Sequence, residues 1–372
     1  MSKADKAQID LLLPHKERFT QQNAGAVSTV VFELARHLDD TQSQKITIFG
    51  TSVETPKAEV NFTGLQPRPF FWQSRNDAMA KAYLRYLQST GHRPDFIEVH
   101  GRPQVALTIA KARPDVPVAL YLHNDARQTK GAKSVAERLA LANNLAAVIS
   151  VSEYIKSCFT DGLPDEANYK AKHFVNYLGV NLLPLPAKKR KKQLFLAGRM
   201  VPEKGFLEAC LGAVPVLQEH RDWQICLAGG KRFQEDSLSP YEKQLQGALA
   251  PLGDQAVILG HQPVSEVRRY QQESEICIVP SLWQEPGGLS VVECLAAGTA
   301  LITTKRGGLP EVADGRAILL DKTSPQDFEE VIRRLITSQD ERALLQSAAR
   351  KEFPYSATNM SHRLAQFRDS LI

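Results

Sequence analysis

The sequence predicts an α/β protein made of two doubly wound parallel-sheet domains in succession. Three observations carry this. Short apolar runs that read as buried strands alternate with stretches of helical apolar spacing, first across residues 9–179 and again across 193–311. Such alternation builds parallel sheets covered by helices. The chain has 372 residues, enough for two domains on a prior of roughly 150 residues each. Between the two series lies Leu182–Lys192, where Pro184, Pro186 and the run Lys188-Lys189-Arg190-Lys191-Lys192 read as an interdomain linker. The expected domains are 1–183 and 184–354, followed by a helical tail over 355–372.

In the first series, Ile9–Pro14 is the opening strand and His15–Ala24 a loop. Gly25 then opens a helix in which Val27, Val30, Val31, Leu34, Ala35 and Leu38 fall at helical spacing. A strand, a glycine loop and a helix start offer free N–H groups and a positive dipole end, so Gly25 is a candidate anion contact. A plain glycine turn into a helix reads the same residues. Strands follow at Lys45–Phe49, Phe96–Val99, Val118–Leu122 and Ala147–Val151. The helices between them are Arg75–Gln88, Pro103–Ala112 and Ser134–Leu145, with another from Glu153 behind a Ser152 cap. Ligands of doubly wound sheets sit beyond the carboxyl ends of strands. His100, His123 and Ser152 occupy such ends; His100 reads as a structural histidine. Asn124–Lys133 reads as an ordered loop beside a site.

The second series opens with the strand Gln193–Ala197. Gly198, Arg199, Lys204 and Gly205 lie in the turn after it, and a helix spans Phe206–Glu219. Arg supplies a planar fork and Lys a point charge, a pair suited to a diphosphate; alone, both could be surface cations. Strands follow at Trp223–Ala228 and at Val257–Leu259, the latter ending in Gly260-His261, and Ser265–Gln272 is a short helix. The apolar run Ile276–Val279 is a buried strand stopped by Pro280-Ser281. Pro286, Gly287 and Gly288 then form a loop that lets backbone approach a ligand, and a helix begins at Leu289. Glu285 and Glu293 flank this turn. Phosphate donors at a helix start, beside carboxylates able to accept from a diol, suit a sugar nucleotide. An ordinary Gly-rich turn with a surface Glu is the plainer reading of the loop alone. Phe328–Leu335 and Arg342–Ala349 are expected as surface helices, and the tail helix carries Met360, Leu364 and Phe367 as apolar positions.

Glu285 to Glu293 resembles the E-P-x-G-L-x-x-x-E signature of the retaining GT-B glycosyltransferases of family four, the group 1 type found in bacterial lipopolysaccharide and exopolysaccharide synthesis. Gly287 departs from the Phe usual after the Pro. The resemblance continues through Ala297-Gly298, Ala300–Thr304 and Gly307-Gly308-Leu309-Pro310-Glu311, and includes Gly198-Arg199 with Lys204-Gly205. It implies a GT-B fold in which the second domain binds a nucleotide-sugar, the first binds the acceptor, and the tail packs back on the first. It assigns Arg199 and Lys204 to the donor diphosphate. Position divides the two glutamates: Glu293, inside the helix behind the turn, is expected to reach the ribose diol, and Glu285, before the turn, hydroxyls of the transferred sugar. Gly198, Gly260, Pro286, Gly287, Gly288 and Leu289 become donor-binding backbone, and Gly25 lies near the diphosphate or the acceptor. His123 comes close to the donor sugar and joins Glu285, Arg199 and Lys204 as a catalytic residue. The expected reaction moves a sugar, carried first by UDP and second by GDP, to a saccharide or lipid-linked acceptor with retained anomeric configuration. Arg199 and Lys204 already neutralise the diphosphate, so no metal and no cofactor are expected. A sugar-nucleotide epimerase of the same shape is the nearest enzyme alternative, and a non-catalytic sugar-nucleotide-binding protein the alternative of another class.

Composition bounds the setting. Hydrophobic residues make up 43% and charged residues 23%, ordinary for a globular protein, and the formal net charge of +5 is too mild to demand nucleic acid. The five cysteines, Cys158, Cys210, Cys226, Cys277 and Cys294, are scattered without metal spacing and read as buried reduced thiols. No apolar run approaches the roughly 18 residues of a membrane span, and Met1–Gln8 has no signal-peptide core. A cytoplasmic protein is expected. The Lys188–Lys192 run would allow peripheral contact with anionic lipid at roughly 1 kcal/mol per residue; a solvated linker is the other reading.

Overall fold

The computed structural model describes residues 6–20, 25–38, 44–68, 74–230 and 238–372. The chain divides into two units, Met1–Gly179 with Tyr355–Ile372, and Val180–Pro354.

The first unit is built on β1 (Ala7–Leu12), β2 (Gln44–Thr51), β3 (Phe62–Leu65), β4 (Phe96–His100), β5 (Val118–Leu122), β6 (Ala147–Ser150) and β7 (Lys172–Val175). They form one parallel sheet in the order β3-β2-β1-β4-β5-β6-β7. The order reverses between β1 and β4, where a doubly wound sheet opens a crevice. All five residues of β4 and all five of β5 are buried, which requires cover on both faces. The helix Ala26–Arg36 supplies Val30, Val31 and Leu34 to that cover. The helix Ala357–Asp369 packs beside it, with Met360, Leu364 and Ala365 buried. Its seat is polar as well as apolar. Gln44 Nε2 donates to Ala365 O at 2.7 Å, and Phe367 stacks on Phe174 with centroids 4.4 Å apart.

The second unit carries β8 (Lys191–Ala197), β9 (Gln224–Ala228), β10 (Ala256–Ile258), β11 (Ser274–Val279), β12 (Ala300–Thr304) and β13 (Ile318–Leu320), all parallel, in the order β10-β9-β8-β11-β12-β13. Here the reversal lies between β8 and β11. Leu194, Leu196, Ile276 and Ile278 share one core with Phe206, Val216, Phe328 and Ile332, each buried aliphatic or aromatic side chain contributing about 1.5–3 kcal/mol. The helices Phe206–Glu219 and Pro325–Thr337 meet at Gly212, where a Cβ would stand 2.4 Å from Pro325 O.

Three expectations change. The helices at the end of the second unit are not simply surface elements: Pro325–Thr337 buries Phe328, Val331, Ile332, Leu335 and Ile336, so only its polar face meets water. The basic run is not a free cationic strip. Arg190 turns inward and donates to the carbonyls of Gln272, Ser274, Ala297 and Gly298. Lys191 already belongs to β8 and pairs with Glu273, and Lys192 pairs with Asp222. Among the described residues only Lys188 and Lys189 of the run stay without a partner, which removes most of the charge on which lipid contact was expected. Finally, β3, β7 and β13 add edge strands of three to four residues, too short to show a period. Of the loop His15–Ala24, Gln21–Ala24 lie outside the described residues, as do residues 1–5 of Met1–Gln8. No described helix is long and apolar enough to cross a membrane.

Candidate functional site

Three strand-end turns of the second unit are tied by backbone bonds. Gly198 N donates to Ala228 O at 3.0 Å, Gly229 N to Gly260 O at 2.7 Å, and Met200 N to Gly230 O at 3.2 Å. A Cβ on Gly229 would fall 1.9 Å from Gly198 O, so that contact admits no side chain. Beside these turns lies a cavity of about 280 Å³ whose lining includes Gly198, Arg199, Gly229, His261, Ser290 and Glu293. It therefore sits at the carboxyl ends of β8 and β9, against the first turns of the helix Leu289–Ala297.

That helix starts at Gly288, a left-handed residue with φ 64°, and among the described residues no side chain caps it. Its first N–H groups and its dipole remain available to an anion. Glu293 lies one turn further along and has neither hydrogen bond nor ion pair among the described residues. Burial pushes its carboxyl above the ordinary range, and the nearby Arg268 draws it back. A half-buried carboxyl without a partner, at the wall of a cavity, is a group that a ligand can complete.

A second group forms next to the cavity. Gly205 adopts φ 69°, and a Cβ there would stand 2.0 Å from Pro280 O. Leu282 N and Trp283 N both donate to Glu203 O, at 3.0 and 3.1 Å, so the turn after β8 is fastened to the loop after β11. This brings Lys204 Nζ within 2.5 Å of Glu285 Oε1. Ser281 Oγ donates to the same oxygen at 2.5 Å. From the far side, Gly307 N donates to Gln284 Oε1 at 2.5 Å and Gly308 N to Glu285 O at 2.8 Å. Arg199 is unlike Lys204: its side chain is 63% exposed and stands 3.8 Å from Glu203.

The structure thus gathers Gly198, Arg199, Lys204, Gly260, Glu285, Gly287, Gly288, Leu289 and Glu293 around the end of one sheet, and Pro286 lies in the same loop. Sequence reasoning missed Ser281 and Gln284 as supports of Glu285; a Ser four residues before the motif carries no pattern of its own. Gly307 and Gly308 were visible as motif glycines, though not as the brace for Glu285.

His123 and Gly25 belong to the first unit. His123 follows β5, and its Nε2 lies 2.9 Å from His100 Nδ1. His100 is fully buried, as a structural histidine should be. Gly25 precedes the helix Ala26–Arg36, but the expected anion position beside it is taken by the chain itself. The Glu17 carboxylate accepts from Ser28 N at 3.3 Å and from Ser28 Oγ at 2.8 Å, and a Cβ on Gly25 would strike it at 2.4 Å. The same unit has a cavity of about 950 Å³ whose lining includes His15, Lys16, Arg18 and Arg75.

Comparison with known proteins fits this geometry. The Thermosynechococcus elongatus sucrose-phosphate synthase superposes with a TM-score of 0.75 at 18% identity over 98% of this chain and 99% of that one. Anabaena HepE, solved with UDP and glucose, gives 0.72 at 17% over 97% and 99%. The fold is GT-B. A family profile described as "Glycosyl transferases group 1" matches residues 184–352, and "Glycosyltransferase Family 4" matches residues 27–169. Between them they span most of the chain, and the protein belongs to the group 1 glycosyltransferases. Among its relatives, YtcC of Bacillus subtilis (strain 168), described as a glycosyltransferase, is 28% identical over 75% of this chain and 73% of its own. The lipopolysaccharide 1,2-N-acetylglucosaminetransferase of Salmonella typhimurium is 24% identical over 73% and 71%.

Proposed function

We propose that the protein is a retaining glycosyltransferase that moves a sugar from a UDP-sugar to a saccharide or lipid-linked acceptor of bacterial surface polysaccharide. The observation that carries this reading is Glu293, a half-buried carboxyl with no hydrogen bond or ion pair among the described residues, placed at a cavity beside an uncapped helix start. Such a pair suits a ribose diol and a phosphate together. The UDP bound in HepE and the acceptor class of the Salmonella relative support the choice of carrier and pathway.

Roles follow from position. Glu293 accepts from the ribose hydroxyls. The N–H groups after Gly288, with Arg199 and Lys204, stabilise the negative charge that develops on the leaving diphosphate. Lys204 reaches that charge by leaving Glu285, and Glu285 is then released to accept from hydroxyls of the transferred sugar. His123 is assigned to that sugar as well. The first-unit cavity, lined by Lys16, Arg18 and Arg75 together with Glu17 and Glu54, is the candidate acceptor site. The protein works in the cytoplasm, and two cations and a dipole make a metal unnecessary: full turnover should persist in EDTA, and loss of transfer restored by Mg²⁺ would refute this.

The test is a thermal-shift screen with UDP, GDP and ADP. A ligand at 100 times its dissociation constant stabilises by about 2.7 kcal/mol. UDP should give the largest shift. No shift with any of the three would overturn the donor site, and a larger GDP shift would change the carrier.

A further inference from the structure

The helix Val264–Glu273 of the second unit packs beside the helix Leu289–Ala297. Of its own residues it buries one, and that one is polar: Gln271, 2% exposed. A glutamine ordinarily faces water, and a helix that hides a single side chain ordinarily hides an apolar one. Gln271 borders the cavity of about 280 Å³ at the ends of β8 and β9, as does Val267 one turn before it on the same face.

The amide of Gln271 is half satisfied. Its Nε2 donates to Cys294 Sγ at 3.6 Å, while its Oε1, also buried, has no hydrogen-bond partner among the described residues. An amide oxygen withdrawn from water without a donor is destabilising, so its presence asks for an explanation. A bond to sulfur at that distance is weak, and the terminal amide torsion is soft. The oxygen can therefore turn to a donor that enters the cavity. Glu293, next in sequence to the Cys294 that holds Gln271, borders the same cavity and also has neither hydrogen bond nor ion pair among the described residues. Two side chains able to accept thus stand incomplete at one wall.

The chemistry of a nucleoside diphosphate decides what completes them. Its ribose carries two hydroxyl donors on adjacent carbons, whereas a uracil offers one N–H between two carbonyls. The wall at His261, Gln262 and Val267 remains for the base. We propose that Gln271 is a specificity residue of the donor site, its Oε1 accepting from one of the two ribose hydroxyls that would otherwise both fall to Glu293. The site then recognises the complete ribose diol and discriminates against deoxy forms of the carrier. This deepens the donor-site reading given above and rests on it.

The experiment is calorimetric titration of the full chain and of Gln271→Met with UDP, 2′-deoxy-UDP and 3′-deoxy-UDP. Met keeps roughly the volume of the side chain and removes both polar atoms. UDP should bind the variant about tenfold more weakly, the scale of one hydrogen bond. One deoxy analogue, lacking the hydroxyl that Gln271 accepts from, should bind both proteins equally; the other should lose the same factor as UDP. An equal loss for all three ligands is the mark of a merely structural residue and overturns the proposal, as does an unchanged affinity for UDP. A crystal structure of the wild-type complex with UDP tests the same contact without any variant having to fold. Gln271 Oε1 should stand about 3 Å from a ribose oxygen, and contact with the base instead, or with no ligand atom, overturns the proposal. Wild-type protein that binds no UDP overturns the donor-site reading and this proposal with it, whereas tight UDP binding with a silent Gln271 overturns the proposal alone.

Discussion

The two units share a topology and a local pattern of strand, glycine loop and helix start, yet the two helix starts differ. The helix after Gly25 receives the Glu17 carboxylate, bonded to Ser28 in its first turn. The helix after Gly288 receives no side chain from the described residues. Both helices have the same dipole and the same orphan donors. Only the second is left for an outside anion. A glycine before a helix therefore marks a place where an anion fits, and the rest of the chain decides whether the protein fills that place itself.

Five substitutions would break or sharpen this contrast. Removing cations beside the open helix start should have the largest effect. Arg199→Ala and Lys204→Ala should each lower turnover by about 100-fold, the scale of losing one preorganised group that stabilises developing charge. Initial-rate measurements with saturating donor check this, and near-native rates would place the diphosphate elsewhere.

Next comes Glu293→Gln, which should weaken UDP by about 10- to 100-fold, from the roughly 1.5–3 kcal/mol of a charge-assisted bond. The same change should raise thermal stability of the empty protein at pH 7. Its folded carboxyl titrates above the unfolded one, so the native state binds more protons and loses stability as pH rises through the ordinary carboxylate range and up to the folded value. The gain should therefore vanish below that range. Melting curves at low and neutral pH, with UDP titrations, separate the two effects.

Glu285→Gln should leave UDP binding unchanged and weaken the intact UDP-sugar by about tenfold, one charge-assisted bond. Equal weakening of both ligands, read by calorimetry, would undo the division of roles between the two glutamates. The smallest effect belongs to the helix start that the chain closes itself. Glu17→Ala should cost about 1 kcal/mol of stability, the usual worth of a helix cap, and leave UDP affinity as it was. A loss of UDP affinity would mean that the first-unit helix start also serves the nucleotide.

The architecture was readable because strand and helix periods alternate without interruption through most of the chain, and the donor site because only certain residue types allow close backbone approach. Gly205 and Gly288, both in the left-handed region, are visible in any sequence that must make those turns. Pairings were not readable. Lys204 and Glu285 are 81 residues apart, and nothing local says that two groups assigned to different parts of a ligand neutralise each other without it. Glu17 is an unremarked loop residue until Ser28 folds against it. Glu98 and Arg368 are 270 residues apart on elements whose periodicity says only that both are covered. Position along the strand put His123 at its carboxyl end; that its ring lies against buried His100 was not readable.

The return of Tyr355–Ile372 to the first unit also sets an order of events during synthesis. Glu98 is made early and Arg368 late, so on the ribosome the first unit must wait with an unbalanced acid in its sheet while the whole of the second is translated. Removing one partner of a buried pair costs about 3–5 kcal/mol, a large part of the stability of an ordinary domain. The later-made unit, Val180–Pro354, has its own core and all its strands once residue 354 is out. It can therefore finish first, reversing the common sequence in which the N-terminal domain folds before the rest. The earlier unit completes its buried pair only after Arg368 has emerged.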